Sequence, residues 1–158
     1  MRLPKNYFSD CYWAHMLTFR CNGGCPYCIN RARGKIAHYE EMAGADIVKF
    51  WNSIEGHHGQ RLSIIGGEPT LHKDFLEVVH GLDGYQTTLT SNLATSFFED
   101  SNFCSELDSP SLRMNTTFHP TSGVSIDLFA DRIRQMKGAG INVGQIGMVN
   151  SPGLDVDA

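Results

Sequence analysis

The sequence predicts an α/β fold, a parallel sheet curled into a partial (β/α) barrel of about five strands and four helices. Two observations predict it. Strand-like and helix-like segments alternate along nearly the whole chain, the pattern of right-handed βαβ units. The residues that carry chemistry also fall at the carboxyl ends of the strand-like runs, where the loops of such sheets build their sites. At 158 residues the chain is one domain by length and too short for the eight-unit ring, which needs about 200 residues or more.

Taken in order, Tyr12 to Phe19 (YWAHMLTF) reads as the first strand and runs straight into CNGGCPYC. Ile47, Phe50, Trp51 and Ile54 fall at i, i+3, i+4, i+7 and define one helix face. Arg61 to Ile65 (RLSII) is the second strand, ending in the Gly66-Gly67 turn. Phe75, Val78, Val79 and Leu82 repeat the helical spacing, and the β-branched run Tyr85 to Thr90 (YQTTLT) makes the third strand. Ser96 to Leu107 is expected to be a helix with Phe97, Phe98, Phe103 and Leu107 as its apolar members. Ser111 to Phe118 (SLRMNTTF) is the fourth strand. Ser125 is placed to cap a fourth helix with Ile126, Phe129, Ala130, Ile133 and Met136 on its face and Gly138 as its stop. Ile141 to Val149 (INVGQIGMV) closes the series as the fifth strand.

Composition narrows the function classes. With 41% hydrophobic and 19% charged residues, the chain has the makings of a packed core. A net charge of −4 gives no electrostatic reason to expect a nucleic-acid partner, since binding phosphates demands a basic face. A local patch would suffice for a small RNA substrate. No run approaches the ~18 apolar residues that span a bilayer, and Ser9, Asp10 and His15 break any signal-peptide core, so a cytoplasmic location is expected. Clustered thiols in that compartment are more often metal-binding or catalytic than disulfide-bonded, and an odd count of five agrees.

Three of the five cysteines stand at 21, 25 and 28 in CNGGCPYCINR. The spacing C-x3-C-x2-C lets one loop curl round a metal cluster, with Gly23 and Gly24 granting the backbone its tight turns. Three thiolates would hold three irons of a [4Fe–4S] cluster and leave the fourth open for chemistry. Two other readings stand beside it. Cys25-Pro26-Tyr27-Cys28 is also a CPYC redox pair of the glutaredoxin kind, and a zinc site completed by a histidine uses the same thiols.

The triad with aromatic Tyr27 before its last cysteine, followed by GGEP at Gly66 to Pro69 after the second strand, resembles the radical SAM superfamily. The resemblance implies a [4Fe–4S] cluster held by Cys21, Cys25 and Cys28, with S-adenosyl-L-methionine on the open iron. It implies an electron from a donor such as flavodoxin or ferredoxin, and a 5′-deoxyadenosyl radical that takes hydrogen from a substrate. Gly66, Gly67 and Glu68 would meet the methionyl ammonium through backbone carbonyls and the carboxylate, since an ammonium wants acceptors. Tyr27 would lie near the adenine, and Ser91, Asn92 and Thr116 or Thr117 would reach the ribose or carboxylate. The GGEP turn alone also reads as an ordinary strand exit with a solvated glutamate.

Two departures from the family pattern stand out. VGQIGMVN, residues 143 to 150, keeps Ile146-Gly147 but lacks the usual acidic residue of the adenine motif. The chain also stops one βα unit short of six. A minimal member, a fragment that binds metal without catalysis, and a barrel completed by a partner chain or oligomer all remain open. The resemblance does not select a substrate. His119, beside Pro120 at the end of the fourth strand, faces either substrate or core. Arg31, Arg33 and Lys35 form a basic cluster, His57-His58 a turn between glycines, and Cys11 and Cys104 lack partner spacing.

Overall fold

The computed structural model describes residues 12–32 and 40–149. Cys11, Asn150 and the side chains of Arg31, Arg33 and Lys35 lie outside the described residues. Five strands form one parallel sheet in the order β1 (Tyr12–Thr18), β2 (Arg61–Gly66), β3 (Gln86–Ser91), β4 (Leu112–Phe118) and β5 (Asn142–Met148). Spatial order equals chain order, so each crossover advances one strand, and right-handed connections put the helices on one face. The helices are α1 (Ile29–Ala32), α2 (Gly44–Asn52), α3 (Phe75–Gly81), α4 (Phe103–Glu106) and α5 (Ile126–Gly138). The partial parallel barrel expected from the sequence is the observed architecture.

The two faces of the sheet differ in chemistry because strand side chains alternate. Leu62 and Ile64 of β2, Leu89 of β3 and Leu112 and Met114 of β4 are buried, together with Ile47, Trp51, Val78, Phe129 and Met136 from the helices. The opposite, concave face presents Ser63, Thr88, Thr90, Arg113, Asn115 and Thr117. A parallel sheet buried on both faces would read as unbroken apolar runs, and these strands do not.

Three expectations need correction. The helix expected over Ser96 to Leu107 is two short pieces, a 3₁₀ turn at Ser96–Glu99 and α4. Asp100 separates them in an extended conformation, its carboxylate accepting from the Asn102 N–H at 2.8 Å. On α2, Phe50 of the expected apolar face is 55% exposed, while Ile47 and Trp51 carry the packing. On α5, Ile126 is exposed and Arg132 is buried instead. The Ser125 cap is as expected, its hydroxyl accepting from the Leu128 N–H at 3.2 Å. His57 and His58 stack in their turn, with His57 held between the carbonyls of Ile54 and Asp83.

Candidate active site

The site is built where β1 and β2 end. The Gly67 N–H donates to the Thr18 carbonyl at 2.7 Å and the Glu68 N–H to the Arg20 carbonyl at 2.8 Å, so the GGEP turn is welded to the start of the cysteine loop. The approach is so close that a Cβ on Gly66 would stand 2.4 Å from the Thr18 oxygen, and one on Gly67 would stand 2.2 Å from the Arg20 oxygen. The glycine pair is thus required by main chain against main chain. Arg20 in turn forks onto Glu41 at 2.9 and 2.8 Å, which ties the loop entry to the segment before α2.

Glu68 is 1% exposed and faces the exit of β3. One carboxylate oxygen accepts from the Asn92 N–H at 2.8 Å; the other accepts from Ser91 Oγ at 2.8 Å and Thr70 Oγ1 at 2.9 Å. Burial pushes its carboxyl up from the ordinary range, opposed by the Asn92 N–H and the Ser91 and Thr70 donors. Asn92 is equally committed. Its amide nitrogen donates to Asn22 Oδ1 at 2.9 Å and its oxygen accepts from the Ala94 N–H at 2.8 Å. Asn22 also donates to the Ala94 carbonyl at 2.8 Å, so the β3 exit is fastened to the cysteine loop.

All three cysteines of the loop are free thiols, Cys21 exposed, Cys25 buried and Cys28 partly buried. Gly23 sits between two of the sulfurs, its missing Cβ 3.3 Å from Cys25 Sγ and 3.6 Å from Cys21 Sγ. The sulfurs already have donors, the Gly23 N–H on Cys21 at 3.4 Å and Thr121 Oγ1 on Cys25 at 2.9 Å. Desolvation raises the Cys21 thiol, against the Gly23 hydrogen bond. His119 leans over the loop, its ring stacked on Tyr27 at 6.0 Å between centroids and its Nδ1 3.2 Å from the Tyr27 hydroxyl. Burial lowers the His119 imidazole, and burial first, then the Cys25 neighbour, raises the Tyr27 phenol.

These parts converge. One cavity of about 390 Å³ is lined by Cys21, Cys25 and Cys28, by Gly66, Gly67 and Glu68, and by Tyr27, Ser91, Asn92 and His119. Thr116 is the exception among the expected residues. It points to the helix side, fully buried with no hydrogen-bond partner for its hydroxyl, and Thr117 lines the cavity. Val149, the residue after β5, reaches the wall, while Ile146 of β5 is half-exposed and does not line it. Sequence reasoning missed Thr90, whose alternation with Thr88 marks the concave face, and Thr121, which no spacing rule links to Cys25.

The donor set bears on what the thiols can hold. Among the described residues, no group of three His, Cys, Asp or Glu closes round a point as the ligands of one ion would. Three thiols on one cavity wall, two against the cradle left by Gly23, suit a cluster in which each iron takes one sulfur. The redox-pair reading wants Cys25 at the start of a helix, but α1 begins only at Ile29, after Cys28.

No protein-family model matches the sequence. A GTP 3′,8-cyclase of Actinobacillus pleuropneumoniae serotype 3 is 32% identical over 65 residues, which cover 40% of this chain and 19% of that protein. A probable GTP 3′,8-cyclase of Methanopyrus kandleri is 27% identical over 70 residues, 44% of this chain and 22% of that protein. A crystal structure of Streptococcus suis SuiB superposes with a TM-score of 0.71 at 18% identity, over 89% of this chain and 33% of SuiB. SuiB bound to S-adenosylmethionine gives 0.65 at 17% identity, over 84% and 31%. The matched region thus spans about a fifth of the curated cyclases and a third of SuiB. The fold of this chain is the α/β fold of the SuiB structures over that third.

Proposed function

We propose that this chain is the core of a radical SAM enzyme, in which Cys21, Cys25 and Cys28 hold a [4Fe–4S] cluster and the adjoining GGEP turn holds S-adenosylmethionine. The observation that carries it is the single cavity that brings the three thiols together with Gly66, Gly67 and Glu68. The bound cofactors would supply one-electron cleavage of the sulfonium and hydrogen abstraction from substrate.

The protein's own residues do the placing. The Gly66 and Gly67 backbone offers carbonyls to an ammonium at the cavity wall, and the buried Glu68 holds the turn rigid from behind. Ser91 and Asn92, bonded to Glu68 and Asn22, fix the facing wall, and Thr90 and Thr117 offer hydroxyls that a ribose or carboxylate can use. Tyr27 and His119 cover the loop, and the Thr121 hydroxyl donates to the Cys25 sulfur. The domain is read as one core unit that takes an electron from a small donor protein such as flavodoxin or ferredoxin.

The test is anaerobic iron–sulfur reconstitution followed by reductant and S-adenosylmethionine. 5′-Deoxyadenosine should form in the unmutated protein and not in Cys25→Ala. A protein that binds no cluster and shows a reversible Cys25–Cys28 disulfide instead would overturn the reading.

A further inference from the structure

A second cavity, of about 470 Å³, opens on the concave face at the amino-terminal end of the strands. We infer that it is an oxyanion subsite in which the guanidinium groups of Arg61 and Arg113 receive a phosphate or carboxylate of the substrate. Its role towards substrate rests on the radical enzyme reading; the binding of an anion there does not.

Arg61 opens β2 and Arg113 is the second residue of β4, each one alternation step from a buried apolar neighbour, Leu62 and Leu112. Both therefore lie on the polar, concave face. β3 lies between them, with Gln86 paired to Arg61 and Thr88 paired to Arg113. Two strand spacings and a two-residue offset put the two Cα atoms roughly 12 Å apart. Side chains as long as arginine can meet one ligand from that distance.

Among the described residues the lining contains no acidic side chain: besides the arginines it presents Gln86, Thr88, Asn115, Asn142 and Gln145 among others. Among the described residues, neither arginine is in an ion pair, whereas Arg20, Arg132 and Arg134 all are. Two unpaired guanidinium groups facing one cavity, in a chain of net charge −4, mark a local positive potential. Arginine is also the side chain whose planar fork matches carboxylate and phosphate oxygens.

The second observation is that Arg113 has a seat. β5 carries one extra residue opposite Asn115, where the Gln145 N–H donates to Asn115 Oδ1 at 2.9 Å. At this bulge stands Gly144, and a Cβ there would lie 1.9 Å from Arg113 Nε and 2.7 Å from Cζ. The glycine leaves the space in which the Arg113 guanidinium lies.

The two cavities share strands. Thr88 and Asn115 line this one, and Thr90 and Thr117, the next residues on the same face, line the cysteine cavity. One such step is about 7 Å along a strand. A substrate anchored by its anion on the arginines would extend along this threonine and asparagine ladder towards the thiols.

The test uses the full chain without cluster, at low ionic strength, following the side-chain Nε–H resonances of arginine by NMR. Inorganic phosphate and succinate are each titrated, with chloride at matched ionic strength as control. The resonances of Arg61 and Arg113 should move saturably with phosphate or succinate, and the tighter of the two assigns the class of anion. In Arg113→Gln the affinity should fall about tenfold, as for loss of a charge-assisted contact, with Arg113→Lys in between. Gly144→Ala should weaken binding by displacing the Arg113 guanidinium, with both arginines still present in the sequence. Equal shifts with chloride, or unchanged affinity in Arg113→Gln, would overturn the subsite. Formation of 5′-deoxyadenosine by the reconstituted unmutated protein is scored separately, so either reading can fail without the other.

Discussion

The Glu68 carboxylate and the Asn92 backbone N–H, 2.8 Å apart, join the exits of β2 and β3 from inside the protein. The carboxylate is turned away from solvent and satisfied by protein donors, so its first duty is to hold the GGEP turn in shape. Glu68→Ala would leave the Asn92 N–H and the Ser91 and Thr70 hydroxyls without an acceptor in a buried place. It should destabilise the protein by about 3 kcal/mol, read from urea unfolding. Glu68→Gln should cost less, because the hydroxyls can turn to accept from the amide while its oxygen still faces Asn92.

Gly67→Ala tests the weld between the two loops. A methyl group 2.2 Å from the Arg20 oxygen cannot be accommodated without moving main chain. A loss on the order of 3 kcal/mol is expected, at the upper end of ordinary overpacking. Reconstituted Gly67→Ala should also retain less iron per chain than Gly24→Ala, whose Cβ would meet no atom within 4 Å.

The Tyr27–His119 pair should respond to pH. Burial holds the folded imidazole below its usual 6.5, so the fold favours neutral His119. This contribution is fully present above pH 6.5 and is lost as pH falls through the folded value. Thermal unfolding of the wild type and His119→Gln should therefore differ most near pH 7.5 and converge towards pH 5. The His119 Hε1 resonance should titrate with a midpoint below that of an unstructured histidine.

Thr121→Val removes the hydroxyl that donates to Cys25 Sγ at 2.9 Å and keeps the volume. Hydrogen bonds to ligating sulfurs raise cluster potentials. The reconstituted variant should hold its iron and show a potential lower by on the order of tens of millivolts in redox titration monitored by EPR. An unchanged potential would separate Thr121 from the cluster.

Arg132→Leu should expose a different dependence. This buried arginine of α5 donates to the carbonyl of Leu93, the one non-glycine described residue with positive φ, in the turn after β3. Loss of that donor should destabilise by about 2 kcal/mol and loosen the Ser91–Asn92 wall, seen as faster amide exchange there.

The strands, the long helices and the cysteine loop were legible because each has a local signature. The β-branched YQTTLT and SLRMNTTF carry the strands, and the i, i+3, i+4 spacings carry α2, α3 and α5. What was illegible depends on tertiary partners. Glu68 looked like a solvent or ligand contact because its acceptors' partners, Ser91 and Asn92, lie 23 and 24 residues away. Thr116 and Thr117 are interchangeable in sequence, and only strand register decides which one faces the cavity. Arg132 reads as the polar side of a helix, yet the turn at Leu93 takes it inside. The helix expected over Ser96 to Leu107 failed because its aromatics pack in edge-to-face clusters that two short turns satisfy as well as one helix.

The one-sided apolar packing of the sheet implies a division of labour that bears on how such a chain can change. Stability resides in the layer between strands and helices, in residues such as Leu62, Ile64, Leu89 and Met114. The lumen side contributes little to that layer, so Thr88, Asn115 or Arg113 can be exchanged with modest effect on folding. Mutational tolerance and ligand choice would then be separable along each strand, odd positions from even, and new specificities could be explored without first raising the thermal ceiling of the protein.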